Sequence, residues 1–198
     1  QLQAEAFDPS PANIGKRSQL SQIGAVKLAL LPKQTRGDTV NVALNLHWGD
    51  EKSLMGKKAI SSLTSSLLAT GTSKYSRAQL SDEMAKLKMS GNLFHFQTTK
   101  ANLSEALKLV AHVLKEANFP ESEFKQAKER ILVNLEASRN EPAAVAGRAL
   151  SQHFNTWPVG DFRASSSLDD TIAHYKAVQL SDVQAFHRAF YGVSQAEF

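Results

Sequence analysis

Between Thr39 and Trp48 the apolar residues Val40, Val42, Leu44 and Leu46 fall on every second position, and beyond this stretch the apolar spacing changes to three and four. That change of period constrains the fold most: a half-buried strand comes early, and the helices that follow must cover it. The run Leu20 to Leu31 alternates as well, so two half-buried strands are expected, paired as a hairpin through a turn over Pro32 to Asp38. Helical stripes follow at Ile60, Leu63 and Leu67, and at Leu80, Met84 and Leu87 behind a capping box that opens at Ser76 and closes at Gln79. A third strand from Leu93 to Thr98 precedes the stripe Leu103, Leu107, Val110 and Leu114, which Asn102 caps. After Pro120 the pattern is helical: Phe124, Ala127, Ile131 and Leu135, then Val145 to Phe154, then Ile172 onward, and last Val183, Phe186 and Phe190. The order β-β-α-α-β-α-α-α-α-α predicts an α+β fold, an antiparallel sheet packed on one face by helices. Residues 1–18 hold Pro9 and Pro11 and no sustained period, which reads as a linker or leading arm ahead of a domain over 19–198.

A chain of 198 residues makes one domain or at most two small ones, and 42% hydrophobic with 21% charged residues excludes disordered and fibrous classes. The longest mostly apolar stretch, Ala25 to Leu31, contains Lys27 and falls well short of the roughly 20 residues that span a bilayer, so no transmembrane segment is expected. The net charge is +4 with the basic residues scattered, which gives no reason to expect a nucleic-acid partner. With no cysteine there is no disulfide, thiol nucleophile or Cys-ligated metal site; the compartment stays open, a periplasmic or secreted one being compatible. The chain opens on Gln1 with no targeting signal, which reads as a segment cut from a longer precursor.

Side chains with catalytic chemistry are present but not arranged for it. No two of the six histidines stand at a helical i, i+3 or i, i+4 spacing; the nearest pair, His174 and His187, are thirteen apart. His95, His153, His174 and His187 read as surface or satisfied core positions. Ser61, Ser62, Ser65 and Ser66 lie in a predicted helix without the G-x-S-x-G turn of a nucleophilic serine. No glycine-rich phosphate loop occurs, and Glu121, Glu123, Glu129 and Glu136 have Lys125 and Lys128 at helical spacing, as a solvated face does.

Several separated strings agree in order with a known family: Gly24 to Pro32 (GAVKLALLP), Leu46 to Lys57 (LHWGDEKSLMGK), Leu67 to Thr72 (LLATGT), Tyr75-Ser76, Ala127 to Pro142 (AKERILVNLEASRNEP) and the closing FYG. They resemble the insulinase/pitrilysin family of zinc metallopeptidases, the inverted zincins, relatives of the mitochondrial processing peptidase. The resemblance runs from about Asp8 to Phe198 and implies a processing-peptidase-like domain. Active members carry His-x-x-Glu-His on the helix that ends at LLATGT, two histidines holding zinc and the glutamate acting as general base. Counted back from Gly71, Ser62 and Ser66 match the histidines and Ser65 the glutamate, so the resemblance implies a degenerate, non-catalytic domain with no metal of its own. The third ligand, a glutamate in the family, matches Asn134; a shift of two residues selects Glu136 instead.

Family members pair catalytic and silent domains that close on a peptide. The implied partners are therefore a homologous catalytic domain carrying zinc, in cis or in trans, and a peptide substrate. The opening DPSPAN reads as an interdomain linker, and the family domain continues with a further strand beyond Phe198. The short run Lys88 to Thr99 stands where the family has a longer hairpin. A purely structural assembly domain, or a divergent hydrolase using other residues, are the competing expectations.

Overall fold

In the computed structural model, which describes residues 3–192 and 196–198, the elements follow in the order α1 (Pro11–Arg17), β1 (Gln19–Ile23), β2 (Val26–Leu30), β3 (Thr39–Ala43), β4 (Asn45–Leu46), α2 (Lys58–Leu67), α3 (Arg77–Lys86), β5 (Ser90–Gly91), β6 (His95–Thr99), α4 (Leu103–Glu116), α5 (Glu121–Ala137), α6 (Pro142–His153), α7 (Leu168–Ala177), α8 (Leu180–Phe190) and β7 (Ala196–Glu197). The α+β class expected from the sequence is the one observed. The chain gathers into two units, one of Gln1–Trp48, Lys74–Glu116 and Tyr191–Phe198, the other of Gly49–Ser73 and Ala117–Phe190.

Among the described residues the seven strands all fall in the first unit, in two sheets rather than the single sheet expected: β1-β2-β7-β4 and β3-β6-β5. Most pairs are antiparallel, but β2 runs parallel to β7. The stretch Leu20 to Leu31 is not one half-buried strand. It folds back at Gly24, whose φ of +59° suits the first position of a two-residue hairpin turn, and β1 pairs with β2 from Gln19↔Leu30 to Ile23↔Val26. Nor does this run pair with the next across Pro32 to Asp38, because β3 takes β6 as its partner. The second alternating run divides at Leu44, which is buried and donates its N–H to Phe94 O at 2.7 Å. β3 before it joins β6 and β4 after it joins β7, so one continuous alternation serves two sheets. Ahead of the strands, Ser10 caps α1 within the leading arm.

The helices of this unit follow their stripes. The capping box of α3 forms, with Ser76 Oγ accepting from Gln79 N and Gln79 Oε1 accepting from Ser76 N. α4 contacts β6 and buries Ala106, Leu109, Val110, Val113 and Leu114. Buried Thr98 on β6 donates to Leu87 O at 2.7 Å, which spares the hydroxyl the cost of burial without a partner.

The second unit is helical and centred on α2, which packs against α5, α7 and α8. Its core is built from Leu63 and Leu67 of α2, Phe124 and Ala127 of α5, Ile172 of α7 and Val183 and Phe186 of α8. α6 forms where expected yet buries no residue; Arg148 anchors it by donating to Ser138 Oγ and Ser138 O. Between α6 and α7 the chain leaves helical structure through Pro158 and Gly160. Among the described residues no helix is long and apolar enough to cross a membrane.

Candidate functional site

The positions that the family resemblance singles out lie on α2 and α5, two helices packed on each other in the second unit. α2 has two faces. Ala59, Leu63, Thr64 and Leu67 are buried, whereas Ser62, Ser65 and Ser66 are exposed on one stripe at i, i+3 and i+4. Ser66 Oγ donates to Leu63 O at 2.9 Å, a bond back into its own helix. Asn134 on α5 is exposed too. Glu136, the alternative third position, is exposed and held by Arg139 at 3.0 Å; Arg139 also reaches Asp169 at 2.9 Å.

Zinc takes imidazole, thiolate or carboxylate donors. Three neutral hydroxyls and a carboxamide supply none of these, so the residues at these four positions do not fit a zinc ion. Among the described residues no three histidine, aspartate or glutamate side chains are grouped to hold a metal ion. Of the histidines on helices, His187 is buried on α8 with its ring edge-on to Phe119 at 5.1 Å.

Below the serine stripe the support is close-fitting. α2 runs into a 3-10 turn over Leu68–Thr70 and then into Gly71 and Thr72. Thr72 bridges Ala117, Asn118 N donates to Gly71 O, and Asn118 Nδ2 donates to Thr72 O at 2.8 Å. A Cβ on Gly71 would stand 2.8 Å from Asn118 Oδ1 and 2.9 Å from Pro120 Cγ, so any larger residue there forces these neighbours to shift. Thr70 is buried with its hydroxyl on Leu67 O. The string LLATGT is therefore a packed joint at the end of the helix.

One cluster in this unit escaped the sequence reading. Arg163 donates from Nε and NH2 to the two carboxylate oxygens of buried Asp161, reaches Glu51 at 2.7 Å, and lies 3.5 Å from the Trp157 ring centroid. These bonds hold the Asp161 carboxyl down at about 2. Its only sequence signal is an Asp two residues before an Arg in a loop with Pro and Gly, which is too common to single out. Asp161 also lines a cavity of about 110 Å³ with Ala59, Thr171, His174 and Tyr175, room for a few water molecules.

No protein-family model and no curated protein matches the sequence. The fold is similar to that of several solved structures. The peptidase M16 inactive domain from Pseudomonas fluorescens matches with a TM-score of 0.69 at 16% identity, over 91% of this chain and 45% of that one. A protease from Helicobacter pylori gives 0.68 at 16% identity with the same coverage, 91% and 45%. The periplasmic protease PqqL from Escherichia coli gives 0.69 at 14% identity, over 92% of this chain and 22% of that one. The chain thus spans less than half the length of each structure it matches here. At such identities the likeness is one of fold.

Proposed function

We propose that this chain is a catalytically silent peptidase-like domain of the insulinase/pitrilysin type, which forms part of a substrate chamber beside a homologous domain that carries the zinc. One observation carries the reading: α2 keeps its buried face and the fitted joint at Gly71, while the three exposed positions where the family resemblance expects two ligands and a base hold Ser62, Ser65 and Ser66. None of the three takes a proton near neutral pH or competes for zinc. The similarity of fold to a peptidase M16 inactive domain supports the same reading. Because those relatives are longer than this chain, the zinc-bearing partner belongs to the proposal, on the same polypeptide or another.

The test has two arms. The purified chain, dialysed against trace zinc, is expected to retain far less than one zinc per molecule and to leave unfolded polypeptides uncut; chelator-sensitive cleavage would overturn the reading. Deleting the domain from the polypeptide that carries it is expected to abolish cleavage while the zinc content stays near normal. Cleavage at the full rate after the deletion would refute the chamber role.

A further inference from the structure

The start of α2, the loop ahead of α7 and one flank of α7 line the cavity of about 110 Å³ that Asp161 borders, all within the second unit. Its polar lining is made mainly of hydrogen-bond donors. Lys58 gives one ammonium N–H to Ala164 O at 2.9 Å and keeps two. Ser166, His174 and Tyr175 present polar tips with no hydrogen-bond partner among the described residues. Asp161, the acid on this lining, has both oxygens occupied: Oδ1 accepts from Arg163 N and Nε, and Oδ2 from Arg163 NH2. Its charge is therefore balanced where it stands, and the guanidinium's second carboxylate, Glu51, is not on the lining. α2 also begins here without a side-chain cap, so Ala59 of its first turn brings the partial positive charge of a helix end to the same space. A cation would meet repulsion from such a lining; an anion would meet donors.

We propose that this cavity binds a small oxyanion, of the phosphate or carboxylate class, held by Lys58, Ser166 and Tyr175 with His174 at the exposed rim. Size sets the limit on the ligand: the cavity has the space of about four waters, enough for the anionic group and too little for the body of a drug-sized molecule. An anion there touches α2, the loop and α7 together. Gly56 N already donates to Gly160 O at 2.7 Å, joining the start of α2 to that loop, and charge-assisted bonds from the ligand would link the same segments to α7. Binding then stabilises the folded unit by mass action. Water is the competing occupant, and the ammonium of Lys58 favours a charged ligand over a neutral one. The inference stands apart from the peptidase reading, since it uses none of Ser62, Ser65, Ser66 or Asn134.

The probes are inorganic phosphate and acetate, each titrated into the 198-residue chain at an ionic strength held constant with chloride, and followed by NMR. At least one is expected to saturate with a dissociation constant below about 1 mM, to shift the signals of Ala59, Ser166 and Tyr175, and to raise the thermal midpoint. Saturation by phosphate alone assigns the phosphate class; saturation by acetate assigns the carboxylate class. Tyr175→Phe removes one unpaired hydroxyl, so it is expected to weaken binding about tenfold and to leave the midpoint of the free protein unchanged. Lys58→Gln is expected to weaken it further, because the charge is lost. No saturation by either anion in the millimolar range overturns the proposal. Saturable binding that neither variant weakens places the anion elsewhere and overturns it equally. Should Lys58→Gln, which also loses the bond to Ala164 O, fail to fold, Tyr175→Phe decides.

Discussion

The helix α2 and the ribbon β1-β2 both carry large aliphatic side chains, yet α2 buries Leu63 and Leu67 completely while the ribbon leaves Leu20 and Ile23 largely in water. Burial makes the first region intolerant of change in volume, because the packed neighbours relax only partly. Exposure makes the second tolerant, so what its sequence specifies is a surface and an edge. Within α2 the same contrast recurs across a single helix, with a packed face under a stripe of three serines.

The largest effect expected from this contrast is at Leu67, which has no exposed area. Leu67→Ala should lower the unfolding free energy by about 3 kcal/mol, read as a shift of the urea midpoint, whereas Leu20→Ala should move it by less than about 0.5 kcal/mol. Equal shifts would erase the distinction between the two regions. Gly71→Ala comes next: a methyl group 2.8 Å from Asn118 Oδ1 and 2.9 Å from Pro120 Cγ should cost about 1–3 kcal/mol in the same assay, and a neutral outcome would show that the joint yields.

A smaller and pH-specific effect is expected from Asp161. Its folded pKa, held by Arg163 at about 2, lies below the ordinary value of 3.8, so the unfolded chain binds more protons between them. The stabilisation it brings is therefore complete above about pH 4 and is lost as the pH falls towards 2. Asp161→Asn should remove that part of the acid limb in a pH series of thermal melts; an identical limb in both proteins would place the acid sensitivity elsewhere. Smallest of all, Ser62→Ala and Ser66→Ala should each leave the urea midpoint within about 0.5 kcal/mol of wild type, since both side chains are exposed and Ser66 bonds only within its own helix.

Local signals in the sequence were readable and distant ones were not. The period of three and four located α2, α4, α5 and α8, and the Ser76–Gln79 capping box formed as its spacing required. Those patterns depend on neighbours within one or two turns. The turn at Gly24 was missed because Ile23 and Ala25 are apolar, so the alternation runs on through it. The division at Leu44 was missed because its cause lies far along the chain, in β6 and β7. The exposed stripe of Ser62, Ser65 and Ser66 was legible through its helical spacing; its reading as a lost metal site comes from the family resemblance alone and belongs to the proposal. The Arg163–Asp161 bond was not, because its meaning comes from Glu51 and Trp157 arriving beside it.

The proposed function turns on α2, read as a packed helix whose exposed Ser62, Ser65 and Ser66 stand where the family resemblance expects metal ligands and a base. The most direct measurement compares zinc stoichiometry and urea midpoint in wild type and in the triple variant Ser62→His, Ser65→Glu, Ser66→His. Because all three residues are exposed, the account predicts a variant that folds with a midpoint within about 1 kcal/mol of wild type and gains zinc affinity, beside a wild type that retains none after dialysis. A wild type that keeps one zinc per chain, or a triple variant that fails to fold, would contradict it.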